Sequence, residues 1–328
     1  MKIKYISDFF MREVKGGAEL ADDILINKLS KTHQITRQKC KDFSEENYDF
    51  WIVSNFVFLR QKHKDFLKNK NYVIIEHDHK FVKSRDVSCY ENKIAPADQI
   101  VNCNFYRKAK LVFCQSQGHA DNLINNLILD NVANFGCSFW SEKHLNILED
   151  LCDTPKTFGN ATINSSNKIK GTFQANRFCI KNKIKVKSIE PKGFNELMFE
   201  LSQTKNLIFF PQVYESFCRL VLEARMLNCS VISNKNLGCT TEEWFSKYKG
   251  KELINFVRNK QEFNIQEFLK VIEGKDTVLK LEGKKYPKIS LITSMFKGEK
   301  YIEKFMNNII SQTVFKYCEL LIIDAASP

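Results

Sequence analysis

Short apolar segments alternate with longer segments of helical character along most of this 328-residue chain, and this alternation constrains the fold most strongly. A short apolar strand, a helix and a second short apolar strand are typical of a βαβ unit, whose strands are parallel. Strands are predicted in the first half at residues 2–6, 33–36, 49–54, 72–76, 111–115 and 132–135. Helices are predicted between them, notably at residues 18–29, 56–67 and 118–129.

A second series of the same kind begins near Lys156. Its strands are predicted at residues 157–161, 184–188, 207–210 and 230–233, and its helices at 171–181, 193–202 and about 218–228. Residues 139–155 are expected to connect the two series. We therefore predict an α/β fold of two Rossmann-like domains, residues 1–150 and 151–283, that face each other across a cleft.

The C-terminal part of the chain starts a new pattern after a polar, turn-like stretch at residues 284–287. A strand is predicted at 288–293, a helix at 300–311 and a strand at 319–324. A single βαβ unit of about 40 residues is too small to be stable alone. We therefore assign residues 284–328 to the truncated start of a further domain and expect the natural polypeptide to continue.

Composition limits where the protein works and what it binds. No segment approaches the roughly 20 apolar residues that span a bilayer, and the eleven cysteines include no CxxC pair, which favours a reducing compartment. We expect a cytoplasmic location.

The formal net charge of +12 favours an anionic partner, although the lysines are spread along the chain as on a solvated surface. Without a nucleic-acid-binding motif, a sugar diphosphate or peripheral contact with an anionic membrane is the preferred interpretation.

The segment after the strand at 207–210 carries the most chemical information. A turn holds Glu215, and a helix that begins near Cys218 contains Glu223. The N-terminus of such a helix directs free backbone N–H groups and roughly half a positive charge at a ligand above the sheet, which suits a phosphate. Two carboxylates beside it suit the hydroxyls of a ribose and a sugar. The segment therefore predicts a nucleotide-sugar site.

Two motifs of the first half follow predicted strands. Gly16 and Gly17 precede the first helix, where glycine lets a ligand approach the backbone closely, although a plain tight turn has the same pattern. His77 and Asp78 follow the fourth strand, at the sheet edge where open α/β sheets bind ligands. A neutral His77 suits a hydrogen bond to a sugar hydroxyl, and Asp78 is expected either to orient His77 or to bind a hydroxyl itself. The alternative is a metal site with His79, for which no third ligand has a sensible spacing.

A third motif precedes the first helix of the second half, where Lys168 and Lys170 come just before Gly171. A lysine there neutralises a diphosphate as a point charge. A lysine beside a glycine is also common on any protein surface.

In this order the motifs resemble those of the large retaining family of GT-B glycosyltransferases, over about residues 1–275. That family has a Gly-Gly-Ala-Glu loop, a His-Asp pair at a strand end, a Lys-Gly step and an E-x7-E motif. The matching residues are 16–19, His77-Asp78, Lys170-Gly171 and Glu215 with Glu223.

The resemblance implies that the second domain holds the donor and the first domain mainly holds the acceptor. Glu223 would bind the ribose, Glu215 and His77 the donor sugar, and the Gly16-Gly17 amides with Lys170 the diphosphate. Candidate catalytic residues are His77, Asp78 and Glu215. Candidate donor-binding residues are Gly16, Gly17, Lys170, Ser216, Phe217, Cys218, Arg219 and Glu223. Enzymes of the family transfer with retention and generally need no metal or other cofactor.

Three positions depart from the family pattern. Ser216 and Cys218 stand where the family usually has glycine, so the backbone there is less free to approach a sugar. Asn160 stands where the family often has arginine, so one diphosphate cation is missing. Arg219 or Lys168 is the expected replacement.

The C-terminal βαβ pattern resembles the opening of the inverting GT-A glycosyltransferases, in which the residue matched by Asp324 contacts the nucleotide. The metal-binding and base aspartates of that family would lie beyond residue 328, so this unit is expected to be inactive in this chain.

Function is therefore expected to be glycosyl transfer from a nucleoside-diphosphate sugar to a glycan or lipid-linked acceptor. The alternative is a non-catalytic sugar-nucleotide or glycan-binding module that acts as a scaffold for a C-terminal glycosyltransferase. The replaced glycines and Asn160 favour that alternative. A nucleic-acid binder is the third interpretation, and it predicts salt-sensitive association.

Overall fold

The computed structural model describes residues 1–190, 192–282, 289–312 and 318–324. Its first sheet is built from β1 (Lys2–Ser7), β2 (Gln34–Lys39), β3 (Phe50–Val53), β4 (Tyr72–Ile75), β5 (Val112–Cys114) and β6 (Val132–Asn134). All pairings are parallel, in the order β2-β1-β3-β4-β5-β6. The connecting helices are α1 (Gly17–Leu29), α2 (Gln61–Leu67), α3 (Cys103–Lys108) and α4 (Gln117–Leu127). We call this unit the first lobe.

Both faces of the first sheet are covered, which explains why its inner strands β3, β4 and β5 are continuous apolar runs. Side chains alternate between the faces of a strand. Trp51 and Val53 of β3 accordingly belong to one hydrophobic core, and Phe50 and Ile52 belong to another.

The second lobe begins after helix α5 (Glu142–Leu151). It contains β7 (Phe158–Ile163), α6 (Thr172–Lys181), β8 (Lys187–Ile189), α7 (Phe194–Ser202), β9 (Thr204–Phe209), α8 (Arg219–Met226) and β10 (Ser230–Ser233). Its four strands are parallel in the order β10-β9-β7-β8. The predicted α/β class and both series of parallel strands are therefore present.

Helix α9 (Gly250–Ile272), which the sequence patterns did not predict, joins the two lobes. Leu253 and Val257 pack in the main core of the second lobe. Ile265 and Phe268 pack on the first sheet, and the main-chain N–H of Leu281 donates to the carbonyl of Val132 at the end of that sheet. The chain therefore returns to the first lobe after completing the second, and the domain bounds given above remain a prediction.

One helix begins later than its pattern predicted. Residues 56–60 form a loop, and α2 begins at Gln61. The buried carboxylate of Asp8 accepts hydrogen bonds from the main-chain N–H groups of Val57 and Phe58 at 2.7 and 2.9 Å. These bonds satisfy the loop backbone without a helical turn.

The C-terminal segment contains β11 (Ile289–Met295), α10 (Glu299–Ser311) and β12 (Cys318–Asp324), and the two strands pair in parallel. This is the predicted βαβ unit, and its GT-A assignment remains a prediction. The predicted turn at 284–287 lies outside the described residues. None of the helices in the described ranges is both long and apolar enough to cross a membrane.

Candidate functional site

A cavity of about 460 Å³ lies between the carboxyl ends of the two sheets. It is bounded by the start of α1, the end of β4 and the loop between β9 and α8. The predicted site residues that line it are Gly17, His77, Lys170, Glu215, Ser216, Phe217, Cys218, Arg219 and Glu223. Residues from both halves of the sequence thus meet at one place, as the predicted cleft requires.

The loop between β9 and α8 holds the two lobes together beside this cavity. The Ser216 hydroxyl donates to the main-chain carbonyl of His77 at 2.5 Å, and the Ser116 hydroxyl donates to the carbonyl of Ser216 at 2.6 Å. The serine at the glycine position of the family pattern therefore serves as an interlobe hydrogen-bond donor.

Lys170 and Glu215 form an ion pair across the cavity wall, with Nζ 2.7 Å from Oε1. Burial alone would lower the pKa of Lys170, but the Glu215 carboxylate outweighs burial and raises that pKa. Lys170 therefore stays charged near neutral pH. An anion entering the cavity meets an ammonium group whose position is already held.

Arg219 and Glu223 lie one turn apart at the start of α8, and both side chains are about nine-tenths buried. Arg219 Nε is 3.5 Å from Glu223 Oε1, and the guanidinium stacks on the ring of Trp140 with its central carbon 4.5 Å from the ring centroid. The indole N–H of Trp140 donates to the same Oε1 at 2.8 Å. Burial lowers the pKa of Arg219 from its usual value, although Glu223 opposes this.

His77 is oriented by a carboxylate that the sequence patterns did not single out. Its Nε2 lies 2.7 Å from Asp22 Oδ1, and the hydroxyl of Ser54 donates to Asp22 Oδ2 at 2.5 Å. Asp22 is buried on α1, one helical turn beyond Gly17. The imidazole is therefore held in a fixed orientation at the cavity wall.

Asp78 lies in an adjoining pocket of about 370 Å³ rather than in the main cavity. It forms ion pairs with Lys80, at 2.8 Å, and with Arg85. Burial alone would raise the pKa of Asp78, but these two cations outweigh it and hold the pKa below its usual value. The charged Asp78 carboxylate, paired with both Lys80 and Arg85, is suited to holding the end of β4 in place.

Gly16 precedes α1 and lies just outside the cavity lining. The Glu19 carboxylate folds back over it, so that a Cβ on Gly16 would lie 2.3 Å from Glu19 Oε2. A Cβ on Gly17 would lie 3.4 Å from Arg219 Cδ. The starts of α1 and α8 therefore approach each other closely on opposite sides of the cleft.

Cys218 adopts a backbone conformation that favours glycine, with φ of 74° and ψ of 79°. Its side chain is buried, and burial raises the pKa of the thiol well above its usual value, so the thiol is not a nucleophile at neutral pH. A residue with a Cβ therefore adopts a left-handed conformation here, at the cost of strain.

This strain can be measured with two substitutions. Cys218→Gly should be more stable than Cys218→Ala by about 1 kcal/mol, because both remove the thiol but only alanine keeps the left-handed penalty. Urea unfolding of the two variants measures the difference. Alanine being equally or more stable would show that the site carries no such strain.

Several other lining residues lacked a sequence signal: Gln115, Ser138, Ile163, Ser165, Lys192 and Leu197. Trp140 lies behind them in the segment treated as a connection.

Of the two expected substitutes for the missing cation, Arg219 lines the cavity, whereas Lys168 lines a separate pocket with Phe173. The side-chain amide of Asn160 donates a hydrogen bond to the carbonyl of Lys185 and accepts one from the side-chain amide of Asn206. Within the described residues, no group of three or more His, Cys, Asp or Glu side chains could hold a metal ion.

No protein-family model matches the chain, and no curated protein matches it. Among solved structures, sucrose-phosphate synthase from Thermosynechococcus elongatus is 10% identical, with a TM-score of 0.52 over 83% of this chain and 98% of that chain. HepE from Anabaena, in complex with UDP and glucose, is 13% identical, with a TM-score of 0.46 over 85% and 96%. The likeness to the synthase confirms the predicted arrangement of two Rossmann-like lobes across a cleft, and at this identity it shows the fold alone.

Proposed function

We propose that this chain is a glycosyltransferase that moves a sugar from a nucleoside-diphosphate sugar to a glycan or lipid-linked acceptor with retention of configuration. The observation that carries the proposal is the convergence of Lys170, Arg219, Glu215 and Glu223 on one cavity beside the start of α8. Two cations suit a diphosphate, and two carboxylates suit sugar and ribose hydroxyls. A fold shared with a protein named sucrose-phosphate synthase supports the same reaction class by analogy only.

Each lobe has a distinct role in this proposal. The second lobe binds the donor, with Glu223 on the ribose, Glu215 on the donor sugar and Lys170 on the diphosphate. The first lobe mainly binds the acceptor and supplies His77 to the donor sugar and the Gly17 amide to the diphosphate. Asp78 acts through its ion pairs, which fix the strand end that carries His77.

The chemical step depends on stabilising the departing diphosphate. Lys170, Arg219 and the N-terminus of α8 are in place before the reaction, so they bind the developing charge without reorganisation. The acceptor oxygen attacks on the face that the diphosphate leaves, and configuration at the sugar carbon is kept. Analysis of the product anomer by NMR tests retention.

A non-catalytic nucleotide-sugar or glycan-binding module is the second candidate. It is favoured by Cys218 and Asn160, since one strains the loop beside the cavity and the other supplies no cation. Such a module would bind donors without turning them over. It would serve as a scaffold for a C-terminal glycosyltransferase.

The proposed location is the cytoplasm, with peripheral contact to an anionic membrane. The buried Cys114, Cys137 and Cys229 are free thiols, as a reducing compartment favours. The net charge of +12 supports contact with anionic lipid.

Glu223→Ala is expected to lower donor turnover by about tenfold to a hundredfold, because a hydrogen bond to a charged group is worth about 1.5–3 kcal/mol. Donor hydrolysis and transfer assays measure the loss, and Glu243→Ala, which removes an exposed carboxylate outside the cavity, is the control. A thermal-shift panel of UDP-, GDP- and ADP-sugars identifies the donor, since a ligand of the native state raises its stability. Binding without turnover would favour the module, and no stabilisation by any donor would contradict both the transferase and a module that binds nucleotide sugars.

A further inference from the structure

We propose that Trp140 is a positioning residue that orients Glu223 with its indole N–H and Arg219 with its ring face, so that one side chain controls recognition of both the ribose and the diphosphate. This inference rests on the proposed function. It deepens that function by assigning ribose recognition to the indole N–H, through Glu223, and diphosphate recognition to the ring face, through Arg219.

The ring of Trp140 is fixed before any ligand binds. The residue is about 1% exposed, and its main-chain N–H donates to Gln261 Oε1 of α9 at 3.0 Å. The Phe217 ring packs near it, with a centroid separation of 6.2 Å. A residue whose main chain is held from α9 and whose ring packs against the loop before α8 is suited to imposing an orientation on its neighbours.

The first of these neighbours is Glu223. Its Oε1 accepts the indole N–H at 2.8 Å and lies 3.5 Å from Arg219 Nε. Its Oε2 accepts no hydrogen bond from the residues that the structure describes, and Glu223 lines the cavity. The indole thereby leaves the second oxygen for ligand hydroxyls.

The second neighbour is Arg219. Its Nη1 donates to the carbonyl of Phe139, and its guanidinium stacks 4.5 Å above the Trp140 ring centroid. Its Nη2 is buried and has no hydrogen-bond partner among the described residues. A buried guanidinium donor without a partner loses free energy that an anionic ligand would restore. The cavity that Arg219 lines is where a diphosphate would supply that acceptor.

The two functions of the ring can be separated by substitution. Trp140→Phe removes the indole N–H but keeps an aromatic face for Arg219. Trp140→Leu removes both. Trp244→Phe is the matched control, because Trp244 is also buried but its indole donates to the carbonyl of Gly136 at 3.2 Å, whereas it is Trp140 that contacts Glu223 and Arg219.

The test measures the dissociation constants of UDP, GDP and ADP and of their 2′,3′-dideoxy forms by calorimetry. For the base that binds, the unsubstituted chain should prefer the ribose form by about tenfold or more, since about 1.4 kcal/mol corresponds to tenfold. Trp140→Phe should lose most of this preference while its affinity for the dideoxy form stays within about twofold. Trp140→Leu should lose affinity for both forms, and Trp244→Phe should match the unsubstituted chain.

A second measurement leaves Trp140 in place and so does not depend on the folding of a Trp140 variant. The chain has three tryptophans, and the Trp140 indole N–H should give an NMR signal shifted by its carboxylate acceptor. That signal should move when the nucleoside diphosphate is added, and it should be the one that Glu223→Gln displaces.

The outcomes distinguish the two levels of inference. If Trp140→Phe keeps the ribose preference and Glu223→Ala abolishes it, the role of Trp140 is overturned and the proposed function is left intact. A preference that Glu223→Ala does not alter overturns the assigned contact between Glu223 and ribose. No binding of any of the three nucleotides overturns the proposed function and this inference with it.

Discussion

Arg219→Ala is expected to reduce donor kcat/KM by about 10²–10³-fold, the usual cost of removing one preorganised donor that stabilises developing negative charge. Arg219 is the cation that we propose to take the place of the arginine missing at Asn160, since it lines the cavity. Its guanidinium is held by Trp140, Glu223 and the carbonyl of Phe139, so little reorganisation is needed when charge develops on the leaving diphosphate. Arg219→Lys should recover part of the loss, because it keeps the charge but not the planar fork.

The matched control is Arg225→Ala on the same helix. Arg225 also stacks on an aromatic ring, that of Phe245 at 4.5 Å, and also donates to a main-chain carbonyl, that of Tyr248 at 2.8 Å. It does not line the cavity. Steady-state kinetics with the donor identified by thermal shift should show a loss confined to Arg219. Equal losses in both variants would mean that each arginine merely stabilises α8.

Gly171→Ala is expected to lower the free energy of unfolding by about 3 kcal/mol or more, as the sum of a left-handed backbone penalty and overpacking. Gly171 has φ of +70°, and a Cβ there would lie 1.8 Å from the carbonyl oxygen of Phe210. Both groups are main chain, so no side chain can move aside. Because Gly171 follows Lys170 directly, the same strain should also displace the Lys170 ammonium from Glu215.

Gly159→Ala is the control for this change, since no atom lies within 4 Å of its Cβ position. Urea unfolding should show little loss, or a small gain, for Gly159→Ala. Gly171→Asn separates the two causes, because asparagine tolerates positive φ but still carries a Cβ. If asparagine restores the stability that alanine loses, steric overlap with Phe210 is not the main cause.

The fold was predictable where local periodicity is set by burial. Strands covered on both faces are apolar throughout, so β3, β4 and β5 were recognisable from short apolar runs. Helix α2 began later than predicted because Asp8, distant in sequence, satisfies the backbone of residues 57 and 58. Helix α9 was not predicted from the sequence. In the structure its two halves pack on different lobes.

The candidate site was predictable to the extent that its chemistry is local in sequence. Glu215, Arg219 and Glu223 lie within nine positions, so one strand-turn-helix unit places them near the same helix start. Their roles remain predictions. Asp22 and Trp140 gave no signal, because a buried aspartate or tryptophan within an amphipathic or connecting segment has no distinctive spacing.

The sequence by itself determined most of the order of strands and helices, with α9 an exception, and the residue types at the strand ends, because hydrophobic periodicity and helix-start chemistry act between near neighbours. Only the tertiary structure decided which of those groups meet. It brought Trp140 beneath Arg219 and Glu223, Asp22 beside His77, and Ser216 against the other lobe. These contacts join residues about 55 to 140 positions apart, and only packing of α1, α8 and α9 around the two sheets brings such distant groups within hydrogen-bonding distance.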